Sequence, residues 1–485
     1  MNSPMPAANS TVIVVGGGPV GVAAAIALAR RGFAVTVVEK ATEIYDLPRA
    51  IVMDDEVQRA LTLIGAGEGL AQVTSPLPGA EFVDVAGTRI IGFELPDGTV
   101  SGLGYPPVVR YYQPELEAFL RAHATAAGVQ FLLGEEITSV AATDAEVTAT
   151  LASGALLSAD WLIAADGAAS PIRKSLGIRF DSLGFDQEWM VVDVRLLDGR
   201  DPVLPHMVQQ HCDPARPSTF VPGHHRYRRW EFQLQEGETR ESMTEPARVW
   251  ELLSPWLTPD DATIVRAVVY RFHGTVASAM RAGRVFIAGD AAHQMPPFLG
   301  QGLCSGVRDA VNLAWKLQSV RDGLAGDRLL DTYDEERRPH SAGVVAYAVD
   351  TGRLIDQLAG RGGEQAGLDS AYGGQRAFPH LEFGMRAGDH LMVGRQVPNI
   401  ELADGRRLDG AAGDGFTVVL SDADPGLADS PALDAWRTLG AIVLDGSVPF
   451  CTGAVVVRPD RSIASVSTTS AEFAEHTTQL MEFLA

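Results

Sequence analysis

The sequence predicts an α/β protein, on three observations. Apolar, β-branched runs typical of buried strands precede glycine-rich turns and helical patterns near residues 12–30, 161–174 and 284–317. A strand-rich stretch lies between the second and the third of these patterns. At 485 residues, with 46% hydrophobic and 21% charged residues, the chain is long and apolar enough to bury more than one core.

The net charge and the cysteines exclude several classes of function. The formal charge of −22 repels nucleic acid and anionic lipid, so we expect neither as a partner. Cys212, Cys304 and Cys451 form no CxxC pair, which argues against a disulfide framework, a zinc site and a dithiol centre. Free thiols suit the reducing cytoplasm, where we place the protein. Neither a metal-binding histidine motif nor a nucleophile elbow occurs, so we predict no metal.

One uncharged stretch, residues 11–29, approaches the length of a membrane span. No Lys or Arg precedes it, so it lacks the basic start of a signal peptide. The run Gly16-Gly17-Gly18-Pro19 also divides it into a strand and a later helix. We therefore predict a buried strand–turn–helix unit and no membrane segment.

The same stretch has the pattern of a dinucleotide-binding turn. The strand Val12–Val15 leads into a G-x-G-x-x-G motif made of Gly16, Gly18 and Gly21, and Glu39 ends the next strand. In this motif the first glycine allows the tight turn, the second lets the backbone approach a pyrophosphate, and the third permits close helix packing. A carboxylate placed like Glu39 accepts hydrogen bonds from ribose hydroxyls. The sequence thus predicts one Rossmann-type site, but this motif alone leaves FAD and NAD both open.

Two further strand-to-helix turns favour a flavin. One strand ends at Asp166-Gly167, with Ser170 placed to cap the next helix, although alone this is an ordinary turn. Another strand ends at Gly289-Asp290, and residues 296–302 are rich in Pro and Gly before a predicted helix over 303–317. A carboxylate there can accept from the polyol chain of a flavin. The helix N-terminus can face the flavin edge that becomes negative on reduction.

Together these motifs resemble those of the class A FAD-dependent aromatic hydroxylases, the para-hydroxybenzoate hydroxylase-like superfamily. The resemblance is carried in order by GGGPVG with Glu39-Lys40, by Pro48-Arg49-Ala50, by DG with SPIR, and by GDAAHQMPPFLGQG with RDAVNLAWKL. Within the superfamily the sequence is most similar to the 3-(3-hydroxyphenyl)propionate hydroxylases. That similarity is carried by residues 48–56, 212–217, 228–232 and 331–338.

The resemblance implies a Rossmann-type FAD-binding domain of the glutathione reductase type. It also implies a mixed or antiparallel sheet that roofs the substrate, and a thioredoxin-like C-terminal domain. The implied ranges are 1–75, 105–180 and 275–355 for the FAD-binding domain, 76–104 and 181–274 for the sheet, 356–385 for a linker or helical segment, and 386–485 for the C-terminal domain. We predict strands of the roofing sheet at 189–194, 229–234 and 267–272, a glycine-rich linker at 360–374, and C-terminal strands at 417–420, 441–444 and 454–457. Without CxxC the C-terminal domain cannot perform dithiol chemistry, so we assign it to packing or to formation of a homodimer.

The resemblance also assigns the residues that contact FAD: Gly16, Gly18, Pro19, Gly21, Glu39, Lys40, Arg49, Gln113, Asp166, Gly167, Gly289, Asp290, Pro297, Gly300, Gln301, Gly302 and Leu303. It implies a single-component monooxygenase that binds NADH or NADPH transiently and reacts with O2. A flavin C4a-hydroperoxide would then hydroxylate a phenolic ring, such as that of a 3-(3-hydroxyphenyl)propionate-like acid in aromatic catabolism.

The substrate side is less defined by the sequence. His206, His211, His225 and Tyr227 lie in or near the predicted roofing sheet and could polarise a phenol. Arg226, Arg228 or Arg229 could anchor a carboxylate, although for any single one of these residues a surface or strand-edge position is the more common role. The sequence assigns no general base. Alternative functions are hydroxylation of a polyketide, an antibiotic or a simple dihydroxybenzene, and flavin or ligand binding without turnover. The W-x-W-x-I-P motif is absent, which disfavours a flavin halogenase.

Overall fold

The computed structural model describes residues 10–47, 49–361, 379–421 and 426–485. Pro48 and most of the predicted glycine-rich linker lie outside these ranges. The strands are β1 Thr11–Val15, β2 Ala34–Glu39, β3 Val52–Asp54, β4 Thr74–Pro76, β5 Gly79–Val83, β6 Arg89–Glu94, β7 Val108–Tyr111, β8 Gln130–Leu133, β9 Ile137–Ala142, β10 Val147–Leu151, β11 Leu156–Ala159, β12 Trp161–Ala164, β13 Phe180–Leu196, β14 Val208–His211, β15 Ser218–Pro222, β16 Tyr227–Gln233, β17 Ala262–Ala277, β18 Arg281–Ala282, β19 Val285–Ile287, β20 His293–Gln294, β21 Thr417–Leu420, β22 Ile442–Asp445, β23 Ala454–Val457 and β24 Ile463–Ser467.

The helices are α1 Pro19–Arg30, α2 Asp55–Leu61, α3 Gln113–Ala126, α4 Pro171–Ser175, α5 Arg240–Thr244, α6 Pro246–Leu253, α7 Gly302–Arg321, α8 Arg328–Leu358, α9 Leu408–Ala411, α10 Pro431–Thr438 and α11 Ser470–Met481. Short helical turns span Thr62–Ala66, Leu70–Gln72, Gly289–Ala291 and Pro297–Leu299. Among the described residues, none of these helices has the length and apolar character needed to cross a membrane.

A six-stranded sheet, in the order β18-β19-β12-β1-β2-β8, forms the centre of the FAD-binding part. Strand β1 pairs in parallel with β2 on one side and with β12 on the other, and β12 pairs in parallel with β19. The β-branched residues of β1 are buried, as a central parallel strand requires. Helix α1 packs against both α3 and α7, and its small alanine side chains are buried. The predicted α/β class is confirmed.

A second sheet covers one side of this part of the molecule. Its eight strands run in the order β20-β17-β13-β16-β15-β14-β5-β6, and we call it the roofing sheet. The long strands β13 and β17 pair antiparallel along most of their length, with register shifts between 182 and 186 and between 193 and 194. The predicted segments 189–194 and 267–272 lie within β13 and β17, and the predicted segment 229–234 extends one residue beyond the end of β16.

The C-terminal residues form a separate four-stranded sheet in the order β22-β21-β23-β24. The unit β21-α10-β22 is parallel, and β23 and β24 follow as an antiparallel pair before α11. This order agrees with the thioredoxin-like arrangement that the resemblance implies. The predicted strands 417–420 and 454–457 match β21 and β23, and β22 begins one residue later than predicted. The sequence did not predict β24, whose apolar residues alternate with serines.

Candidate active site

The turn between β1 and α1 is a tight, glycine-dependent bend with an open outer face. Gly16 has φ +104°, and a Cβ there would lie 2.3 Å from the carbonyl oxygen of Ala165. A Cβ at Gly21 would lie 2.0 Å from the carbonyl oxygen of Gly16, so α1 packs directly against the turn. A Cβ at Gly18, by contrast, would meet no heavy atom within 4 Å. The N-terminus of α1, where Pro19 is the first residue, therefore faces space that a pyrophosphate can occupy.

Glu39 lies beside this turn at the end of β2. Its Oε2 accepts a hydrogen bond from the Gly17 amide at 2.6 Å, and its Oε1 accepts one from the Ala41 amide at 2.8 Å. The carboxylate is therefore held in place and keeps lone pairs for ribose hydroxyls. The neighbouring Lys40 is exposed.

Asp166 follows β12 on the same edge of the sheet, next to Gly167. Burial raises the pKa of Asp166. Its Oδ1 is buried and has no hydrogen-bond partner among the described residues, whereas its Oδ2 accepts from the Ile172 amide at 3.4 Å. Ser170 caps α4 through the Arg173 amide at 2.9 Å, as predicted. A buried, unpartnered carboxylate oxygen fits a site that a polar ligand completes.

The Gly289-Asp290 turn is held from below by a buried carboxylate of α7. Asp309 Oδ2 accepts from the Gly289 amide at 3.0 Å and contacts His293 Nε2 at 2.7 Å, while its Oδ1 accepts from Arg337 Nε at 2.9 Å. Asp290 projects from this turn into a cavity. Desolvation by the surrounding protein raises the pKa of Asp290, although the residue remains accessible to solvent through the cavity. His293 has a structural role here: it contacts Asp309, which holds the turn, and it does not line the cavity.

The N-terminus of α7 opens onto the same cavity. Pro297, Gly300, Gly302 and Leu303 line it, and a Cβ at Gly302 would meet no heavy atom within 4 Å. The Gln301 side chain points elsewhere, because its Nε2 donates to a buried Asp54 oxygen at 3.0 Å. The free amides of α7 can therefore face a bound flavin ring.

The segment that carries Arg49, which we call the strap, consists of Arg49 and Ala50 just before β3. Two side chains hold its backbone by hydrogen bonds. Gln113 Oε1 accepts from the amides of Arg49 at 2.8 Å and Ala50 at 2.7 Å. Arg229 of the roofing sheet donates to the Arg49 carbonyl oxygen at 2.6 Å. Gln113 thus supports the strap through hydrogen bonds, and the exposed Arg49 side chain lines the cavity.

A cavity of about 350 Å³ lies between these loops and the roofing sheet. Its floor contains Asp290, Pro297 and residues 300–303. Its walls are mostly apolar and include Val191, Val208, Phe272 and Phe298. Five polar side chains of the roofing sheet also line it: Thr219, Arg229, Glu231, Arg266 and Tyr270.

These polar side chains differ in how many hydrogen-bond and ion-pair partners they have. The buried Asp193 accepts from Arg229 at 2.7 and 3.1 Å and from Arg266 at 3.1 and 2.7 Å. Arg266 also donates to the Tyr270 hydroxyl at 3.0 Å. Among the described residues, the carboxylate of Glu231 has one ion-pair partner, Arg229 Nη1, at a distance of 4.0 Å. Burial raises the pKa of Glu231 to about 7.

The four substrate-side candidates from the sequence do not line this cavity. His206 is on the surface, 3.1 Å from Glu94, and the His211 ring packs edge-on against Trp256. The other two lie farther along the roofing sheet. His225, with φ +50°, is exposed, and Tyr227 stacks on Tyr112 with 3.8 Å between ring centroids.

Residue type alone pointed to Arg229 but not to Glu231, Arg266 or Tyr270, for which strand alternation offered a signal. Arg229 and Glu231 are two positions apart on β16, so they share a face. Arg266 and Tyr270 share a face of β17 in the same way. Charged residues that repeat on one face of an otherwise apolar strand indicate a polar wall inside the fold.

One cluster among the described residues, Glu115, His224 and His225, brings three metal-ligand atoms within 4.8 Å of one another. It lies outside the cavity lining. Ser75 Oγ, which contacts His224 Nδ1 at 3.0 Å, also accepts from Arg110 Nε at 3.0 Å. This guanidinium disfavours a cation nearby, so we assign no metal to the cluster.

The family model described as FAD binding domain matches residues 9–348. The chain is 38% identical over 352 residues to a probable NADH-specific resorcinol 4-hydroxylase of Rhodococcus jostii. The aligned region covers 71% of this chain and 65% of that protein. It is 34% identical over 466 residues to the 3-(3-hydroxy-phenyl)propionate/3-hydroxycinnamic acid hydroxylase of Escherichia coli K12, which covers 90% of this chain and 83% of that protein.

Solved structures show the same fold across the chain. The flavin-dependent monooxygenase PieE, in complex with FAD and substrate, is 23% identical with a TM-score of 0.81, covering 99% of this chain and 100% of that one. The aklavinone-11 hydroxylase, in a ternary complex with FAD and aklavinone, is 25% identical with a TM-score of 0.79 and the same coverage. From the extent of the family match and the length of the aligned relatives, the chain belongs to the FAD-binding-domain family of flavoprotein hydroxylases.

Proposed function

We propose that the chain hydroxylates a phenol that carries a substituent meta to its hydroxyl group, using FAD, a reduced nicotinamide dinucleotide and O2. The relatives named above are a resorcinol hydroxylase and a hydroxylase of 3-(3-hydroxyphenyl)propionate and 3-hydroxycinnamic acid. Each of these compounds has one ring with a hydroxyl group and a second substituent in the meta position. This shared feature defines the substrate class that we propose.

The residues around the cavity fit FAD. The open N-termini of α1 and α7 can receive the pyrophosphate and the flavin ring, and Glu39 and Asp166 offer oxygens to polar groups of the cofactor. Asp290 is placed on the floor for the ribityl chain. Bound FAD supplies the redox chemistry: it accepts hydride from the nicotinamide and activates O2. The chain positions it, and Arg49 on its clamped strap adds positive charge at the cofactor side.

The observation that carries the proposal is the cavity itself. It continues from the flavin-facing residues 300–303 to the roofing sheet, so a ring placed there lies next to the cofactor. Its apolar walls, including Phe272 and Phe298, exclude water that would compete with the substrate. Its volume of about 350 Å³ favours a one-ring substrate over a fused-ring compound such as aklavinone.

We extend the proposal to the rest of the molecule. The C-terminal sheet serves packing or homodimer formation, since Cys451 is the only cysteine of residues 386–485. The three cysteines are free and buried, which supports a cytoplasmic location. The name of the Rhodococcus relative supports NADH over NADPH as the electron donor.

The test is oxidation of NADH and NADPH by the purified FAD-loaded protein, with and without resorcinol or 3-(3-hydroxyphenyl)propionate. We expect strong stimulation by at least one compound and a product with one added hydroxyl group, identified by mass spectrometry. Stimulated NADH or NADPH oxidation that yields only hydrogen peroxide would show that the protein is a hydroxylase and that the tested phenol is not its substrate. FAD binding without stimulation by either compound would contradict the proposal and favour a flavin-binding protein without turnover.

A further inference from the structure

We infer that Glu231 is the catalytic residue that accepts the proton of the substrate's phenolic hydroxyl group. This inference deepens the proposed function and rests on it. It assigns a general base where the sequence assigned none. It also places the hydroxyl group that the substrate already carries against β16.

The geometry sets Glu231 apart from the other cavity groups. Its side chain faces the cavity from the middle of β16, and the residue is only 5% exposed. No donor among the described residues makes a hydrogen bond to its carboxylate, and the nearest charged atom is Arg229 Nη1 at 4.0 Å. A buried carboxylate without a donor costs free energy, and a ligand O–H that reaches it removes that cost.

The other oxygens around the roof are already engaged. Asp193 accepts from two guanidinium groups, and the Tyr270 hydroxyl accepts from Arg266. The Thr219 hydroxyl donates to Gln210 Oε1 at 2.6 Å. Asp290 lines the cavity from the turn after β19, in the FAD-binding part and not in the roofing sheet. Among the described residues that line the cavity, Glu231 is therefore the one carboxylate of the roofing sheet left to accept from a substrate.

The surrounding charges favour an ionised Glu231. Asp193 carries one negative charge against the positive charges of Arg229 and Arg266, so an ionised Glu231 neutralises the cluster. Across the cavity the charged groups are Arg49 and Asp290. Burial raises the pKa of Glu231 to about 7 and Arg229 opposes that shift, so the anion is present at neutral pH and increases above it.

The proposed step balances within the overall reaction. The O–H bond of the substrate breaks, its proton goes to Glu231, and its electron pair stays on the ring oxygen and enriches the ortho carbon. That carbon gains one oxygen atom from O2 and loses its hydrogen as a proton when aromaticity returns. The other oxygen atom becomes water with two electrons from the nicotinamide donor. Glu231 then releases its proton to solvent.

The test compares Glu231→Gln with a matched control, Glu188→Gln. Glu188 is in β13 of the same sheet, 35% exposed and paired with Arg240 at 2.9 Å, so its substitution should leave turnover unchanged. We expect Glu231→Gln to retain FAD but to hydroxylate more slowly, by about 10²- to 10⁴-fold. Substrate-stimulated NADH oxidation should continue and yield hydrogen peroxide.

Two readouts separate proton transfer from a structural role. The wild-type hydroxylation rate should rise with pH through about 7, and Glu231→Gln should lose this rise, because only the anion accepts a proton. With fluorinated phenols that are ionised at the assay pH, the deficit of Glu231→Gln should shrink, because the proton has already left. Glu231→Asp, which keeps the carboxylate, should retain the pH dependence even if it is slower.

Two outcomes would overturn the inference. One is a Glu231→Gln enzyme with the wild-type rate and pH profile. The other is a deficit that is equal for neutral and ionised phenols. If the wild-type protein hydroxylates no phenol at all, the proposed function fails, and the role of Glu231 fails with it. Rates and product yields of the wild type distinguish this last case from the first two.

Discussion

Gly18 and Gly21 stand three positions apart in the first turn and have different physical roles. Gly21 is required by the fold, because a Cβ there would lie 2.0 Å from the Gly16 carbonyl oxygen. Gly18 has an ordinary φ of −76° and open space around it, so the fold of the protein alone does not require glycine there. We attribute the glycine at position 18 to the close approach of the cofactor's pyrophosphate.

This difference gives a prediction at the residue scale. Gly18→Ala should keep the melting temperature of the apoprotein but weaken FAD binding by about tenfold, or about 1.4 kcal/mol. Gly21→Ala should destabilise the apoprotein by about 1–3 kcal/mol because the helix must move. Thermal denaturation of the apoproteins and titration with FAD, followed by flavin fluorescence, measure both effects. Normal FAD affinity in Gly18→Ala would place the pyrophosphate elsewhere.

Helix α7 shows how one element shapes the site from two directions. Its N-terminus opens onto the cavity, while Asp309, about two turns further on, accepts a hydrogen bond from the turn that carries Asp290. Asp309 is fully buried and is held between His293 and Arg337. Burial alone would raise the pKa of Asp309, but its contacts with His293 and Arg337 keep it lowered.

At this scale we predict that Asp309→Asn costs about 3–5 kcal/mol of stability, because Arg337 is then buried without its counter-charge. FAD content should also fall, since the Gly289 amide loses its acceptor. Asp322→Asn, at the end of the same helix and paired only with the neighbouring Arg321, serves as the control and should change stability by less than about 0.5 kcal/mol. Urea denaturation and the flavin-to-protein absorbance ratio provide the measurements. Equal stability and equal FAD content of the two variants would show that Asp309 does not hold the Gly289-Asp290 turn in place.

Across the whole molecule, buried ion pairs join the C-terminal sheet to the FAD-binding part. Glu336 of α8 contacts Lys316 of α7 at 2.7 Å and Arg458, which follows β23, at 2.8 Å. Arg59 of α2 pairs with Asp409 of α9 at 2.7 Å. Burial alone would raise the pKa of Glu336, but Arg458 and Lys316 reverse this and lower it to about 2.

We predict that Glu336→Gln destabilises the protein by about 3–5 kcal/mol at pH 7, because Lys316 loses its buried counter-charge and Arg458 loses Glu336 while it keeps Asp460. The carboxylate of Glu336 stabilises the fold fully above its ordinary pKa of 4.5, and this contribution is lost as the pH falls toward 2. The gap between the two proteins should therefore narrow below pH 4.5. The control is Glu335→Gln, whose partner Arg328 is on the surface. Denaturation curves at pH 7 and pH 3.5 test this, and a gap independent of pH would contradict it.

The parts of the protein that the sequence alone predicted are those whose chemistry is local. A strand, a glycine turn and a helix N-terminus are consecutive in the chain, so β1, α1, β2 and the turn at Gly289-Asp290 could be derived from short patterns. The buried β-branched runs likewise located most of the C-terminal strands. Strand β24 was missed because its serines interrupt the apolar pattern.

The sequence by itself therefore determined the fold class, the cofactor loops and the family. Only the tertiary structure decided which side chains face the cavity that we propose for the substrate ring. Glu231 and Arg266 come from β16 and β17, which meet at one cavity because β13 pairs with both. The register of those pairings, a long-range property, sets the face on which each side chain lies. His206, His211, His225 and Tyr227 were chosen by residue type, and pairing and packing placed them outside the cavity.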